Sequence, residues 1–267
     1  MTAIPIAPAE EVELDETPAE AELRLRRELA AVYRLVHHFQ MTDLIFTHIS
    51  VRLPGPDHHF LLNPYGLMFD EITASNLVVV DLDGNLVRPA SGVHVNPAGF
   101  VIHSAIHRSR EDARCVLHTH TRAGCAVAAQ EGGLLPLNQI SMEFYDRVAY
   151  HDYEGIALSK AEQVRLVEDL GRHPALILRN HGLLTVGLSP AQAFLRMFYL
   201  NRACQIQVDA MAGGGPLVVP SPEIAERTAR QFAGEDTGDD FTDPIANSLA
   251  WQALHRLVER TYPDYAE

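Results

Sequence analysis

Apolar positions along the chain recur with two different periods, and the change from one to the other lays out the elements. From residue 17 the spacing is helical: Leu25, Leu29, Val32, Val36 and Phe39 fall on one face. Thr17 is placed to cap this helix, Pro18 to open it and Glu20 to close a capping box. Short extended stretches follow at 46–53, 60–63 and 77–82. Asp83-Gly84 lies between Val80-Asp81-Leu82 and Asn85-Leu86-Val87 and predicts a hairpin turn. Asn96-Pro97 reads as the cap and first residue of a helix reaching about Arg108. Residues 113–120 predict a buried strand and 121–129 a helix of small residues. Ser159 with Glu162 forms a second capping box for a helix ending near Leu170. Residues 175–179 predict another apolar strand, and Ser189-Pro190 opens a long helix that stops at Gly213-Gly214-Gly215. One or two helices are expected in the tail, the last over about 247–259. Strands and helices intermix with at least one hairpin, so the class is α/β with a mixed or largely antiparallel sheet.

Composition narrows the class of function. The chain has 267 residues, of which 47% are hydrophobic, enough for one large core. A formal net charge of −14 repels nucleic-acid phosphates and anionic lipid, so neither is an expected partner. No run of about 18 apolar residues exists to span a membrane. Residues 1–16 are rich in Pro, Ala and Glu and read as a disordered acidic lead-in, without the basic start and apolar run of a secretory signal. Three cysteines, Cys115, Cys125 and Cys204, fit a reducing, cytoplasmic setting better than a disulfide framework.

Of the 14 histidines, His37, His38, His58, His59, His107, His173 and His255 read as surface or hydrogen-bonded core residues. His118-Thr119-His120 is different. On a strand, residues i and i+2 share a face, so both imidazoles can reach one ion. His181 follows the second apolar strand, and Gly182 beside it permits a turn. If the two strands are neighbours, three imidazoles converge. Three protein ligands leave a position open for substrate or water, as in catalytic rather than structural zinc sites.

Four motifs carry a family resemblance: Phe46-Thr47-His48-Ile49-Ser50, Val95-Asn96-Pro97-Ala98-Gly99, Val116-Leu117-His118-Thr119-His120 and Leu178-Arg179-Asn180-His181-Gly182-Leu183-Leu184. Over about 25–212 the chain resembles the class II aldolase/adducin family, in its adducin-like branch. The resemblance implies one α/β/α three-layer domain (17–212) around a mainly antiparallel sheet, leaving 213–267 as a linker and helical extension. It implies a divalent metal on His118, His120 and His181, zinc first, with iron, manganese or cobalt as alternatives. It also implies a homotetramer with active sites at subunit boundaries, and carbon–carbon bond chemistry on a small molecule through an enediolate.

The chain departs from the sugar-phosphate aldolases of that family at two places. Where they carry Ser-Ser-Glu, this chain has Pro97-Ala98-Gly99, so the acid/base glutamate is missing. Where they carry a Thr-Pro-Ser-Gly turn, it has Asn63-Pro64-Tyr65-Gly66. Tyr65 would fill phosphate space, while the backbone of Asn63 to Gly66 can still offer N–H groups to an anion. A non-phosphorylated hydroxy or keto acid is therefore the expected substrate class. Glu143 is the first candidate to replace the missing glutamate, with an ion pair to Arg147 as its structural alternative. Tyr150 and Tyr145 are candidate donors to a developing oxyanion. His48, which replaces the usual asparagine, and Arg179, two residues before His181, are candidate substrate ligands; His48 could bind a carboxylate or support the metal from behind its ligands. Three functions follow as expectations: a metal-dependent aldolase or decarboxylase, an Fe(II) oxygenase on the same histidines, or a non-catalytic scaffold of the actin-binding adducin type.

Overall fold

The computed structural model describes residues 16–88, 94–155, 160–235 and 249–267. The expected disorder of the lead-in, the Ser159 cap and the start of the last helix near Asn247 lie outside the described residues. Helix α1 (Pro18–His38) starts as its sequence dictates, with Thr17 and Glu20 closing the capping box. Strands β1 (His48–Arg52), β2 (Phe60–Leu62) and β3 (Val78–Val80) follow. Helix α2 (Pro97–Ser109), strand β4 (Cys115–Thr119) and helix α3 (Arg122–Ala128) come next, then the short α4 (Gln139–Met142) and β5 (Val148–His151). Helix α5 (Lys160–Leu170) leads to β6 (Ala175–Leu178) and β7 (Gly182–Gly187). Helices α6 (Pro190–Ala212), α7 (Pro222–Phe232) and α8 (Leu249–Thr261) complete the chain.

The seven strands form one sheet in the order β3-β2-β1-β4-β7-β6-β5. It is mixed rather than purely antiparallel: only β5 runs parallel to its neighbour, β6. Successive side chains of each strand point to opposite faces, and the core divides accordingly. Cys115 and Leu117 of β4, with Ala175 and Ile177 of β6, pack with α1 and α6. Val116, Leu176 and Leu178 pack with Ile102 and Ile106 of α2 and Leu166 and Leu170 of α5. Helices on both faces make three layers.

Two strands escaped the sequence pattern. β5 lies in a stretch dense in titratable groups, and β7 was hidden inside the His181 motif. The consequence for the site is a correction: β4 and the 175–179 strand are not neighbours. β7 lies between them, pairing antiparallel with both. The tail docks on α1. Trp251, Val258 and Tyr265 are buried in the main core, and Arg34 of α1 holds Asp264 at 2.8 Å while donating to Ile72 O. Among the described residues no helix is long and apolar enough to cross a membrane.

Candidate metal centre

β6 and β7 are joined by the three residues Arg179-Asn180-His181, with Leu178 paired to Gly182. Asn180 takes the left-handed conformation (φ 57°) that such a loop requires and that asparagine tolerates. The turn residue is thus Asn180, not Gly182. Gly182 serves close packing instead: a Cβ there would lie 2.5 Å from Thr119 O and 3.1 Å from His120 Cδ2. Helix α3 anchors the loop, since Ala128 O accepts from Asn180 N and the Cys125 thiol donates to His181 O. The hairpin so formed turns His181 back onto the end of β4.

There the three imidazoles meet. His120 Nε2 lies 2.9 Å from both His118 Nε2 and His181 Nε2, and one ligand atom from each residue falls within 4.8 Å of the others. His118 Nδ1 is 2.9 Å from Leu183 O, and a carbonyl only accepts. Nδ1 therefore carries the proton and Nε2 the lone pair. His120 Nδ1 lies 2.9 Å from the Asp43 carboxylate, with the same result. Lone pairs that close repel unless a cation sits among them. Burial keeps two of the rings neutral, holding His118 well below the usual histidine range and His181 down to about 4. Neutral imidazoles with lone pairs converging fit a divalent ion of borderline softness.

Asp43 was missed by the sequence reading because it lies 77 residues from His120. It sits on a strained loop. Gln40, Leu44 and Thr47 all have positive φ, and Thr47 is β-branched, for which that conformation is costly. Thr47 Oγ1 is also buried without a hydrogen-bond partner. Strain and an orphan hydroxyl beside a cluster of ligands are features of functional loops. A carboxylate behind a metal-binding histidine fixes its tautomer and raises its basicity. Asp43→Asn is expected to weaken zinc binding about 10–100-fold. Competition against a zinc-binding dye measures this, and an unchanged affinity would remove Asp43 from the centre.

A second buried polar group adjoins the first. His48 is paired with His118 across β1 and β4, their ring centroids 5.4 Å apart. His48 Nδ1 lies 2.7 Å from His103 Nε2, and Ser50 Oγ lies 2.6 Å from His103 Nδ1 and 2.7 Å from His107 Nε2. His107 Nδ1 lies 3.0 Å from Ala113 O. Sequence spacing held the signal: His48 and Ser50 alternate on a strand, and His103 and His107 are one helical turn apart.

The sequence profile of the Class II Aldolase and Adducin N-terminal domain matches residues 27–208. The chain belongs to the class II aldolase and adducin family. It is 50% identical to a solved aldolase II superfamily protein from Pseudomonas syringae, covering 92% of this chain and 96% of that one, with a TM-score of 0.85. It is 28% identical to L-fuculose 1-phosphate aldolase from Glaciozyma antarctica PI12, covering 94% and 95%, with a TM-score of 0.81. It is also 44% identical to mouse alpha-adducin over 88% of this chain, which spans 33% of that protein.

Within this aldolase and adducin framework, the other candidates separate by place. Asn63 is buried beside β1. The Tyr33 hydroxyl accepts from Ile49 N and shares its one proton between Ile49 O and Asn63 Oδ1, each at 2.7 Å. Gly66 has φ 107°, and its turn is tied down by Tyr65 N donating to His94 O. Tyr65 lines a cavity of about 640 Å³ with Leu23, Arg26, Leu77 and Glu267, a wall that includes none of the three histidines. Arg179 donates to Gln130 O and Glu131 O and lies over the Tyr150 ring, 4.6 Å from its centroid. The Tyr150 hydroxyl accepts from Leu134 N. Together these two side chains brace the loop after α3. Burial pushes the Glu143 carboxyl up to about 7, the affinity of a general acid or base, but its charged neighbours are Arg196 and Arg147 rather than the imidazoles. Arg147 itself pairs with Glu235. Tyr153, not a sequence candidate, has its ring 6.5 Å from that of His181 and is largely exposed. Gly99 falls in the first turn of α2.

Proposed function

We propose that the chain is a metal-dependent lyase, an aldolase or decarboxylase, acting on a small hydroxy or keto acid that lacks phosphate. The observation that carries this reading is the convergence of the Nε2 atoms of His118, His120 and His181, the first two turned there with their lone pairs bare. A divalent cation there, zinc first by donor type, supplies Lewis-acid polarisation of a carbonyl and so stabilises enolate character. His118, His120 and His181 would hold it. Leu183 O and Asp43 keep the first two in the ligating tautomer. Three protein ligands leave room for substrate. Asn63, fixed by Tyr33 next to β1, and the backbone of the turn to Gly66 are the candidate substrate contacts. Gly99 brings no carboxylate, which favours decarboxylation, because loss of carbon dioxide needs no base.

Likeness to an L-fuculose 1-phosphate aldolase supports lyase chemistry. The replacement of the Ser-Ser-Glu and Thr-Pro-Ser-Gly elements argues against a phosphorylated sugar. Likeness to alpha-adducin raises the scaffold reading, against which stands the retention of three ligating imidazoles that a scaffold does not need. The reading carries with it a cytoplasmic homotetramer. Zinc analysis and a panel of hydroxy and keto acids test it. The expected result is one zinc per chain and turnover that a chelator removes and zinc restores. Ordinary enzymatic rates on a ketose 1-phosphate would sink the substrate class, stoichiometric iron with oxygen uptake would move the chemistry to oxygenation, and metal-free protein would favour the scaffold.

A further inference from the structure

We propose that the buried chain His48–His103–Ser50–His107 fixes His48 as a pure hydrogen-bond acceptor beside the metal-binding imidazoles, and that this acceptor selects ligands carrying a hydroxyl. The inference rests on the reading above and deepens it, by choosing hydroxy acids over keto acids.

The direction of every bond in the chain follows from its inner end. Ala113 O can only accept, so His107 Nδ1 carries a proton. A neutral His107 then has a lone pair on Nε2, which accepts from Ser50 O–H. That uses the one serine proton, so Ser50 Oγ accepts from His103 Nδ1–H. His103 Nε2 is left with a lone pair and accepts from His48 Nδ1–H. His48 Nε2 ends the chain bare. The reverse order would set the lone pair of His107 Nδ1 against a carbonyl oxygen at 3.0 Å. All four residues are at most 4% exposed, so a charged form has no water to solvate it.

The bare nitrogen is placed for a ligand. Among the described residues His48 Nε2 has no hydrogen-bond partner, and His48 keeps 4% of its surface exposed. His48 flanks His118 in the sheet without joining the three-residue cluster whose ligand atoms lie within 4.8 Å. An acceptor so placed attracts an O–H and repels a carboxylate or keto oxygen. The sequence expectation that His48 binds a carboxylate is therefore replaced: His48 takes the hydroxyl. Ser50, His103 and His107 act through it as positioning residues.

Histidine-specific 15N NMR of the metal-free protein reads the tautomer directly. His48 is expected as the Nδ1–H form in the wild type, and as a mixture in Ser50→Ala, where the chain is cut. Zinc-loaded protein is then titrated with glycolate and with acetate. Glycolate is expected to bind about tenfold more tightly, and Ser50→Ala to shrink that ratio to about twofold. A wild-type His48 in the Nε2–H form overturns the proposal, as does equal binding of glycolate and acetate. The wild-type spectrum needs no variant, so an unstable Ser50→Ala leaves the test standing. A protein that binds no zinc would sink the metal reading and hydroxyl selection with it, while the tautomer is still decided by its own spectrum.

Discussion

His181→Ala is expected to reduce bound zinc from one per chain to near zero, with affinity falling on the order of a thousandfold or more. Three ligands are the minimum that leaves both a firm hold and an open position. Removing one leaves two imidazoles, and no fourth described His, Cys, Asp or Glu has a ligand atom in the cluster to take its place. His181 is the most informative of the three because it sits in a hairpin loop rather than in β4. Its backbone N bonds Leu178 O and its carbonyl accepts from Cys125, neither of which involves the side chain. The alanine variant should therefore keep its thermal midpoint in the metal-free state and lose only the stabilisation that zinc confers by binding the folded state alone. Metal analysis with thermal melts in zinc and in chelator reads both effects. Full zinc occupancy in His181→Ala would remove this residue from the centre.

The difference between His118-Thr119-His120 and His181 also shows what was legible in the sequence. The pair was legible because strand periodicity is local: i and i+2 share a face whatever the rest of the chain does. Capping residues were legible for the same reason, and Thr17 and Ser189 cap helices as their positions dictate, while Thr121, read as part of its helix, is the cap in front of it. Convergence of His181 was not local. It depends on β7 folding back between β4 and β6, and β7 was hidden because its buried run Gly182–Gly187 lies on both faces of the core and shows no alternation. Asp43 was hidden by sequence distance, and the partners of His48 showed only as two separate pairs, His48 with Ser50 on a strand and His103 with His107 on a helix. Each is polar in isolation, and only the sheet register brings Ser50 opposite α2 and His48 opposite His118. Glu143 illustrates the opposite failure. Its composition suggested a catalytic carboxylate and its burial gives it a fitting proton affinity, yet its charged surroundings are Arg196 and Arg147.

The second large effect is on stability in mild acid. Metal-free protein is expected to lose stability steeply as pH falls from about 6.5, before its ordinary carboxylates begin to titrate; Glu143, raised to about 7, takes up its proton in the folded state and offsets about one histidine's share of the slope. His48 and His107 are held at about 3 and His103 well below its usual range, all by burial. In the unfolded chain each returns to about 6.5. Between those values the unfolded state binds protons that the folded state refuses, so stability rises with pH across the window and is lost as pH falls. Each such histidine contributes a slope of about 1.4 kcal/mol per pH unit. Three of them give about 4 kcal/mol per unit, and His118 and His181, also lowered, add to it when no metal is bound. A domain of ordinary stability, about 5–15 kcal/mol, would then unfold within a few pH units of neutrality. Urea unfolding in chelator at pH 7.5, 6 and 5 measures the slope. His107→Gln should flatten it by roughly one histidine's share, because a glutamine can still donate to Ala113 O but takes up no proton on unfolding. A wild-type slope below about 1.4 kcal/mol per pH unit between pH 6 and 5 would mean that the buried imidazoles accept protons in the folded state, and the neutral chain from His48 to Ala113 would have to be abandoned.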